Sequence, residues 1–342
     1  MLRSASVTPA LLRAAFALSL ATAACTAPPT LEPSGKTARD EADSTTSDRD
    51  DDDASDARGD EETTAPPAAA TPKATPAATG CITDVSAGLH RFACDGLTYH
   101  VSVPGACAAG GCGLVVDLHG ATMNAAIEDA NTGMRALGDK RGYVVVQPDA
   151  SASPMFLGMP TWNPDADDAK IVATTKVLQQ AFAIDAKKVH LMGFSAGGAL
   201  GFRVLCKTPD AFASYALAAG SGCSSPTKKV PVLYMQGRRD MLESFTSKAV
   251  PQRDVLVNAW KLGAGTKIAG DGRFARTRFG DALEFLEHDY ASPSPILGGH
   301  CYPGSTNFGA EHGELLPFFC AGSAGFAWGE AAMAFFVAHP RP

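Results

Sequence analysis

The sequence predicts an α/β domain built on a mostly parallel sheet with helices on both faces, and three observations carry that expectation. Continuous apolar runs such as Leu114-Val115-Val116 and Tyr143-Val144-Val145-Val146 have the composition of strands buried on both faces. Helical patterns fall between most of these runs, the alternation that parallel strands need for their crossovers. The 262 residues from Cys81 to Pro342 suit one large domain of this kind better than two small ones.

In chain order, residues 1–25 read as an export signal. Arg3 and Arg13 precede an apolar run, 14–21, too short to span a bilayer, and the small residues Thr22-Ala23-Ala24 lead to Cys25. Ala23-Ala24-Cys25 resembles the end of a bacterial lipobox, in which the cysteine is lipidated and becomes the mature N-terminus. The other reading is free secretion after cleavage behind Ala21-Thr22-Ala23. Residues 26–80 are rich in Pro, Ala, Thr, Ser and Asp and cannot build a core, so they are expected to be a disordered tether for a catalytic domain at 81–342. Between 31 and 80 there are 13 acids against 5 bases, which more than accounts for the net charge of −7; the acidity belongs to the tether, and no basic stripe suggests nucleic acid. Strands are expected at 97–103, 114–118, 143–147, 189–192, 213–218, 230–235 and 283–287. Helices are expected at 124–137, 167–182, 196–206 and 253–262.

The chemistry gathers around Val189-His190-Leu191-Met192-Gly193-Phe194-Ser195-Ala196-Gly197-Gly198: a short strand, a sharp turn holding Ser195, then an apolar-periodic helix. Reversing from strand to helix in one turn strains the serine backbone, and Gly193 and Gly197 leave room for strand and helix to close around it. The hydroxyl then projects above the sheet at a helix N-terminus, where partial positive charge and free N–H groups favour a developing oxyanion. A serine hydroxyl needs a general base within reach and an acid to orient that base.

In the chain order nucleophile, acid, histidine, four histidines follow Ser195: His288, His300, His312 and His339. His300, in the turn-rich loop Gly298-Gly299-His300-Cys301-Tyr302-Pro303-Gly304, is the candidate base, with His312 as rival. Asp240, directly after the strand expected at 230–235, is the candidate acid, with Glu243 the alternative. The N–H of Ala196 and that of Ala121, in Leu118-His119-Gly120-Ala121, are the candidate oxyanion donors; His119 reads as part of that backbone element rather than as a base. Met155, Phe156, Met159 and Trp162, with Tyr302 beside the histidine, offer an apolar rim for an acyl or aromatic group, the other reading being that they are core. Only six residues separate Cys223 from Val230, too few for a cap domain there, so the site is expected to be open and shallow.

Nine cysteines suit an oxidising compartment. With Cys25 set aside, the remaining eight permit four bridges, and sequence proximity suggests Cys81 with Cys94, Cys107 with Cys112, Cys206 with Cys223 and Cys301 with Cys320. No Cys-x-x-Cys pair or His-x-x-x-His spacing points to zinc, and no metal site is expected.

Leu118-His119-Gly120, Gly193-Phe194-Ser195-Ala196-Gly197-Gly198, Gly237 to Asp240, the Gly-Gly-His-x-x-Pro-Gly element at His300 and the closing Phe335-Phe336-x-x-His339-Pro340 together resemble the polyhydroxybutyrate depolymerase-like esterases, a group close to feruloyl and acetylxylan esterases. The resemblance covers roughly residues 85–340. It implies the α/β-hydrolase fold and a secreted serine carboxylesterase with Ser195, Asp240 and His300 as its triad, needing no cofactor. Tyr302 stands where the family often carries Trp, and no appended polymer-binding domain is expected. The expected substrates are short-chain, hydroxyalkanoate-polymer or plant-cell-wall (feruloyl or acetyl) esters. The protein is expected to be a monomer outside the cytoplasm, with no nucleic-acid partner and any membrane attachment through Cys25. The competing readings are a peptidase of the same fold and a tethered binding module without catalysis.

Overall fold

The structure, a computed structural model, describes residues 74–342 other than 152–153, 157, 306–311 and 314. The expected export signal, Cys25 and all of the expected tether up to residue 73 lie outside the described residues. Part of the remaining tether is held to the domain: Ala77 N–H donates to Ala181 C=O at 2.8 Å, and Thr79 and Ile82 exchange backbone hydrogen bonds.

The chain forms β1 (Gly88–Cys94), β2 (Leu97–Val103), β3 (Gly113–Leu118), α1 (Ala125–Thr132), α2 (Met134–Arg141), β4 (Tyr143–Asp149), β5 (Met155–Phe156), β6 (Met159–Pro160), α3 (Asp167–Ala181) and β7 (Val189–Phe194). It continues through α4 (Ala196–Lys207), β8 (Ser214–Ala218), β9 (Val232–Gly237), α5 (Val250–Trp260), β10 (Gly265–Gly270), β11 (Phe274–Phe279), β12 (Leu283–His288) and α6 (Trp328–Ala338). Ten of the strands make one sheet in the order β1-β2-β4-β3-β7-β8-β9-β12-β11-β10. The six central strands, β4 to β12 in that order, are parallel, and an antiparallel pair flanks each side.

Because strand side chains alternate between faces, the apolar runs divide into two cores. Leu114, Val116, Val144, Leu191, Tyr215, Val232 and Tyr234 pack on one face with Ile171 and Leu178 of α3, Leu200 and Phe202 of α4 and Leu256 of α5. Val115, Val145, Met192, Ala216, Leu233 and Met235 pack on the other with Ile127 of α1, Met134 of α2 and Trp328 and Phe336 of α6. Both faces are covered, as parallel sheets require.

The helix expected over 124–137 is instead two. Asn124 caps α1 by accepting from the Ala126 and Ile127 N–H groups at 3.0 Å, and Gly133, at φ +62°, ends it in the left-handed conformation before α2 begins. Four disulfides close the loops with the pairing that sequence proximity suggests: Cys81–Cys94, Cys107–Cys112, Cys206–Cys223 and Cys301–Cys320. Among the described residues no helix is long and apolar enough to cross a membrane.

Candidate active site

Ser195 stands between β7 and α4 at φ 54°, ψ −118°, a conformation that non-glycine residues rarely adopt and that persists only where the surroundings impose it. Here they are backbone. A Cβ at Gly197 would lie 2.1 Å from the Leu118 carbonyl oxygen, and one at Gly193 would lie 2.6 Å from that of Gly197. Strand β7, helix α4 and the end of β3 thus meet at main-chain distance, and the serine takes up the strain. Ser195 N–H is anchored to Ala218 C=O at 2.9 Å.

The candidate base and acid come from two loops beyond the sheet's parallel centre. His300 Nδ1 and Asp240 Oδ2 are 2.8 Å apart, and both residues are buried. Asp240 also receives three N–H donors: Leu242 N and Glu243 N on Oδ1 at 2.8 and 2.7 Å, and Gln236 Nε2 on Oδ2 at 2.8 Å. A carboxyl group so held fixes the imidazole with its proton on Nδ1. His300 Nε2 is buried without a hydrogen-bond partner, and His300 and Ser195 line the same cavity.

The alternatives are occupied otherwise. Glu243 binds Lys248 at 2.8 Å; burial pushes His288 down to about 4; His339 Nδ1 is 2.8 Å from Phe335 C=O; and His312 is exposed. Gln236, which the sequence reading missed, carries a signal only in hindsight: a polar residue four positions before the acid, near the end of an apolar strand.

Helix α4 starts at Ala196 with no side chain capping it, so its first N–H groups and its dipole face the cavity that Ala121 and Thr122 also line. His119 shapes this loop. Its Nδ1 lies 2.7 Å from Gly120 C=O, and its Nε2 accepts from Ala150 N–H at 3.0 Å, which fixes a neutral tautomer; burial lowers its affinity for a second proton. Trp162 stacks on the His119 ring with centroids 4.7 Å apart and donates to His119 C=O at 2.7 Å.

Of the five residues expected to form an apolar rim, Trp162 and Tyr302 are therefore not at the cavity. Trp162 is buried beneath the oxyanion loop because its indole N–H satisfies a main-chain carbonyl there. Tyr302 is wholly buried, stacked on Phe194 at 4.0 Å, with its hydroxyl donating to Glu128 at 2.7 Å. Phe156, half exposed on the β5–β6 hairpin, does line the cavity. The other apolar walls are Leu242, Ile296, Leu297, Leu316 and Phe318, from loops that pattern reading could not place around a serine. The cavity holds about 450 Å³. The β8–β9 connection carries no cap: Gln252 binds the Gly222 and Cys223 N–H groups and the Cys223 C=O, pinning it beside the Cys206–Cys223 bridge. Among the described residues no cluster of His, Cys, Asp and Glu could hold a metal ion.

A central parallel sheet of this order with a strand–serine–helix elbow in its middle is that of the α/β-hydrolases. Within that class, residues 97–241 match the model of the family described as Esterase PHB depolymerase. It is 31% identical over 225 residues to "Putative esterase NocK" of Nocardia uniformis subsp. tsuyamanensis, covering 63% of this chain and 65% of that protein. It is 28% identical over 132 residues to the bifunctional acetylxylan esterase/xylanase XynS20E of Neocallimastix patriciarum, covering 37% of this chain and 19% of that protein. The chain thus spans less than two thirds of the length of either relative. In fold it is similar to the acetyl xylan esterase from Aspergillus awamori, with a TM-score of 0.50 and 14% identity over 59% of this chain and 92% of that one.

Proposed function

We propose that this chain is a serine carboxylesterase that works through an acyl-enzyme. The observation that carries the reading is His300: one ring nitrogen bound to Asp240 at 2.8 Å, the other buried without a partner, in the cavity that the strained Ser195 lines. Ser195 Oγ attacks the ester carbonyl as His300 Nε2 takes its proton. Asp240 stabilises the imidazolium without accepting that proton, and the Ala121 and Ala196 N–H groups receive the oxyanion. His300 then protonates the leaving alcohol. A water molecule, deprotonated by the same nitrogen, cleaves the acyl-enzyme and releases the acid.

The proposed substrates are esters of short acyl groups, including the acetyl groups and hydroxyalkanoate ends of polymers. A cavity of about 450 Å³ with an open apolar rim supports this choice. A long acyl chain gains about 0.8 kcal/mol per methylene only where each is buried, which the exposed rim of Phe156, Leu242 and Ile296 does not provide. Relatives named for acetylxylan esterase activity support the acetyl member of the set. Four disulfides support action outside the cytoplasm, with Cys25 as the proposed lipid attachment.

A panel of p-nitrophenyl esters from acetyl to palmitoyl, with acetylated and feruloylated sugars and hydroxybutyrate oligomers, tests the reading. Turnover is expected to fall from acetyl and butyryl to palmitoyl, with no rate increase at an oil–water interface. Preference for palmitoyl with interfacial activation would overturn the substrate assignment. Failure of an organophosphate to label Ser195 would overturn the chemistry.

A further inference from the structure

Outside the residues lining the cavity are two buried carboxyl groups that the proposed reaction does not use, Asp117 on β3 and Glu128 on α1. Asp117 Oδ2 accepts from Gln147 Nε2 at 2.9 Å and Thr132 Oγ1 at 3.1 Å; Glu128 Oε2 accepts from the Tyr302 hydroxyl at 2.7 Å. The remaining oxygens, Asp117 Oδ1 and Glu128 Oε1, are buried with no donor. The two side chains are within hydrogen-bonding reach of each other, so one proton held between them satisfies both oxygens.

The ends of this chain of groups reach the catalytic parts. Asp117 is followed by Leu118 and the His119-Gly120-Ala121 loop, and Tyr302 follows His300 by two residues. The Tyr302 ring stacks on Phe194, next to Ser195, and Phe194 in turn lies 4.8 Å from the His300 ring. The His300 segment belongs to no helix or strand, so its position depends on such ties. We propose that the buried series Tyr302–Glu128–Asp117 is a positioning device for the reaction proposed above, holding the base-bearing loop in register with the strand that presents the oxyanion loop. Tyr302 and Glu128 touch no substrate. They act through His300.

The inference rests on the esterase reading, and its test separates the two. Tyr302→Phe keeps the ring on Phe194 and removes only the donor. It is expected to lower kcat about tenfold or more while KM moves less than about twofold, since a misplaced base costs turnover rather than ground-state binding. Phosphonylation of Ser195 by an organophosphate, which needs the same base, is expected to slow in parallel.

Glu128→Gln, whose amide can accept from Tyr302 and donate to Asp117, is expected to retain most of the turnover that Glu128→Leu loses. The double variant Tyr302→Phe with Glu128→Leu removes both partners of the Tyr302–Glu128 bond and so is expected to recover part of the stability lost in Glu128→Leu, Asp117 remaining without its partner, while keeping the low kcat. Recovery of kcat together with stability in the double variant would overturn the positioning role. So would a wild-type kcat in folded Tyr302→Phe. A wild-type protein that neither turns over esters nor labels at Ser195 would instead refute the esterase reading.

Discussion

Glu128→Gln should stabilise the domain at pH 7 and leave it almost unchanged at pH 4. Burial, followed by the nearby charge of Asp117, carries the Glu128 carboxyl well above its ordinary value of 4.5. The folded protein therefore retains this proton over a pH range in which the unfolded chain has already released it. Stability falls with rising pH wherever the folded state binds more protons, and the cost here opens as pH climbs past the unfolded value of 4.5. Each pH unit over which the folded state alone keeps the proton costs about 1.4 kcal/mol. Asp117, pushed up from 3.8 to about 6 by burial, adds a cost of the same sign as pH rises from about 4 to about 6. Glutamine is fixed in the equivalent of the protonated form, so the variant loses the Glu128 share of this slope. Urea midpoints measured for both proteins at pH 4, 5.5 and 7 would show the difference widening with pH. Parallel curves, or a variant that loses ground to wild type as pH rises, would refute the shared-proton account.

Three further outcomes follow from the site and its frame. Ser195→Ala and His300→Ala should each abolish nearly all esterase turnover without unfolding the domain, whereas Asp240→Asn should leave a somewhat larger residual rate; steady-state kinetics on a butyryl ester checks the ranking. Gly197→Ala should destabilise the domain by about 1–3 kcal/mol or more and lower kcat, because the new methyl meets the Leu118 carbonyl rather than a movable side chain. A folded Gly197→Ala variant with wild-type kcat would contradict that. Replacing Cys206 and Cys223 by alanine, which opens a closure of 17 residues, should cost about 3 kcal/mol, read as a lowered denaturant midpoint.

The parallel centre of the fold was legible because Leu114-Val115-Val116 and Tyr143 to Val146 are apolar at every position, as strands buried on both faces must be. The edges were not. All six residues of β10 are exposed, so Gly265 to Gly270 carries no apolar alternation to read. Helix α6 is apolar around most of its circumference because it packs against both α1 and α2, which erases the one-sided pattern. At the site, Ser195 announced itself through glycines whose absent side chains are local facts. Trp162 and Tyr302 were misplaced because a large aromatic ring near the catalytic residues in sequence suits a rim or a core equally. The choice was made by single polar atoms, an indole N–H meeting His119 C=O and a phenol meeting Glu128, that no spacing reveals.

The acid and base loops meet through their backbones. Asp240 and Gly298 form an isolated β-bridge, Gly299 N–H donates to Arg239 C=O at 2.8 Å, and a Cβ on Gly237 would strike the Gly299 carbonyl at 2.2 Å. These same two loops supply Leu242 and Ile296 to the cavity wall. The register of the two loops is thus set by the main chain, while side chains hung from them form the cavity wall. Substitutions at 242 and 296 would therefore reshape the cavity wall while leaving the backbone junction of the two loops in place, so the pocket can be altered without moving Asp240 or His300.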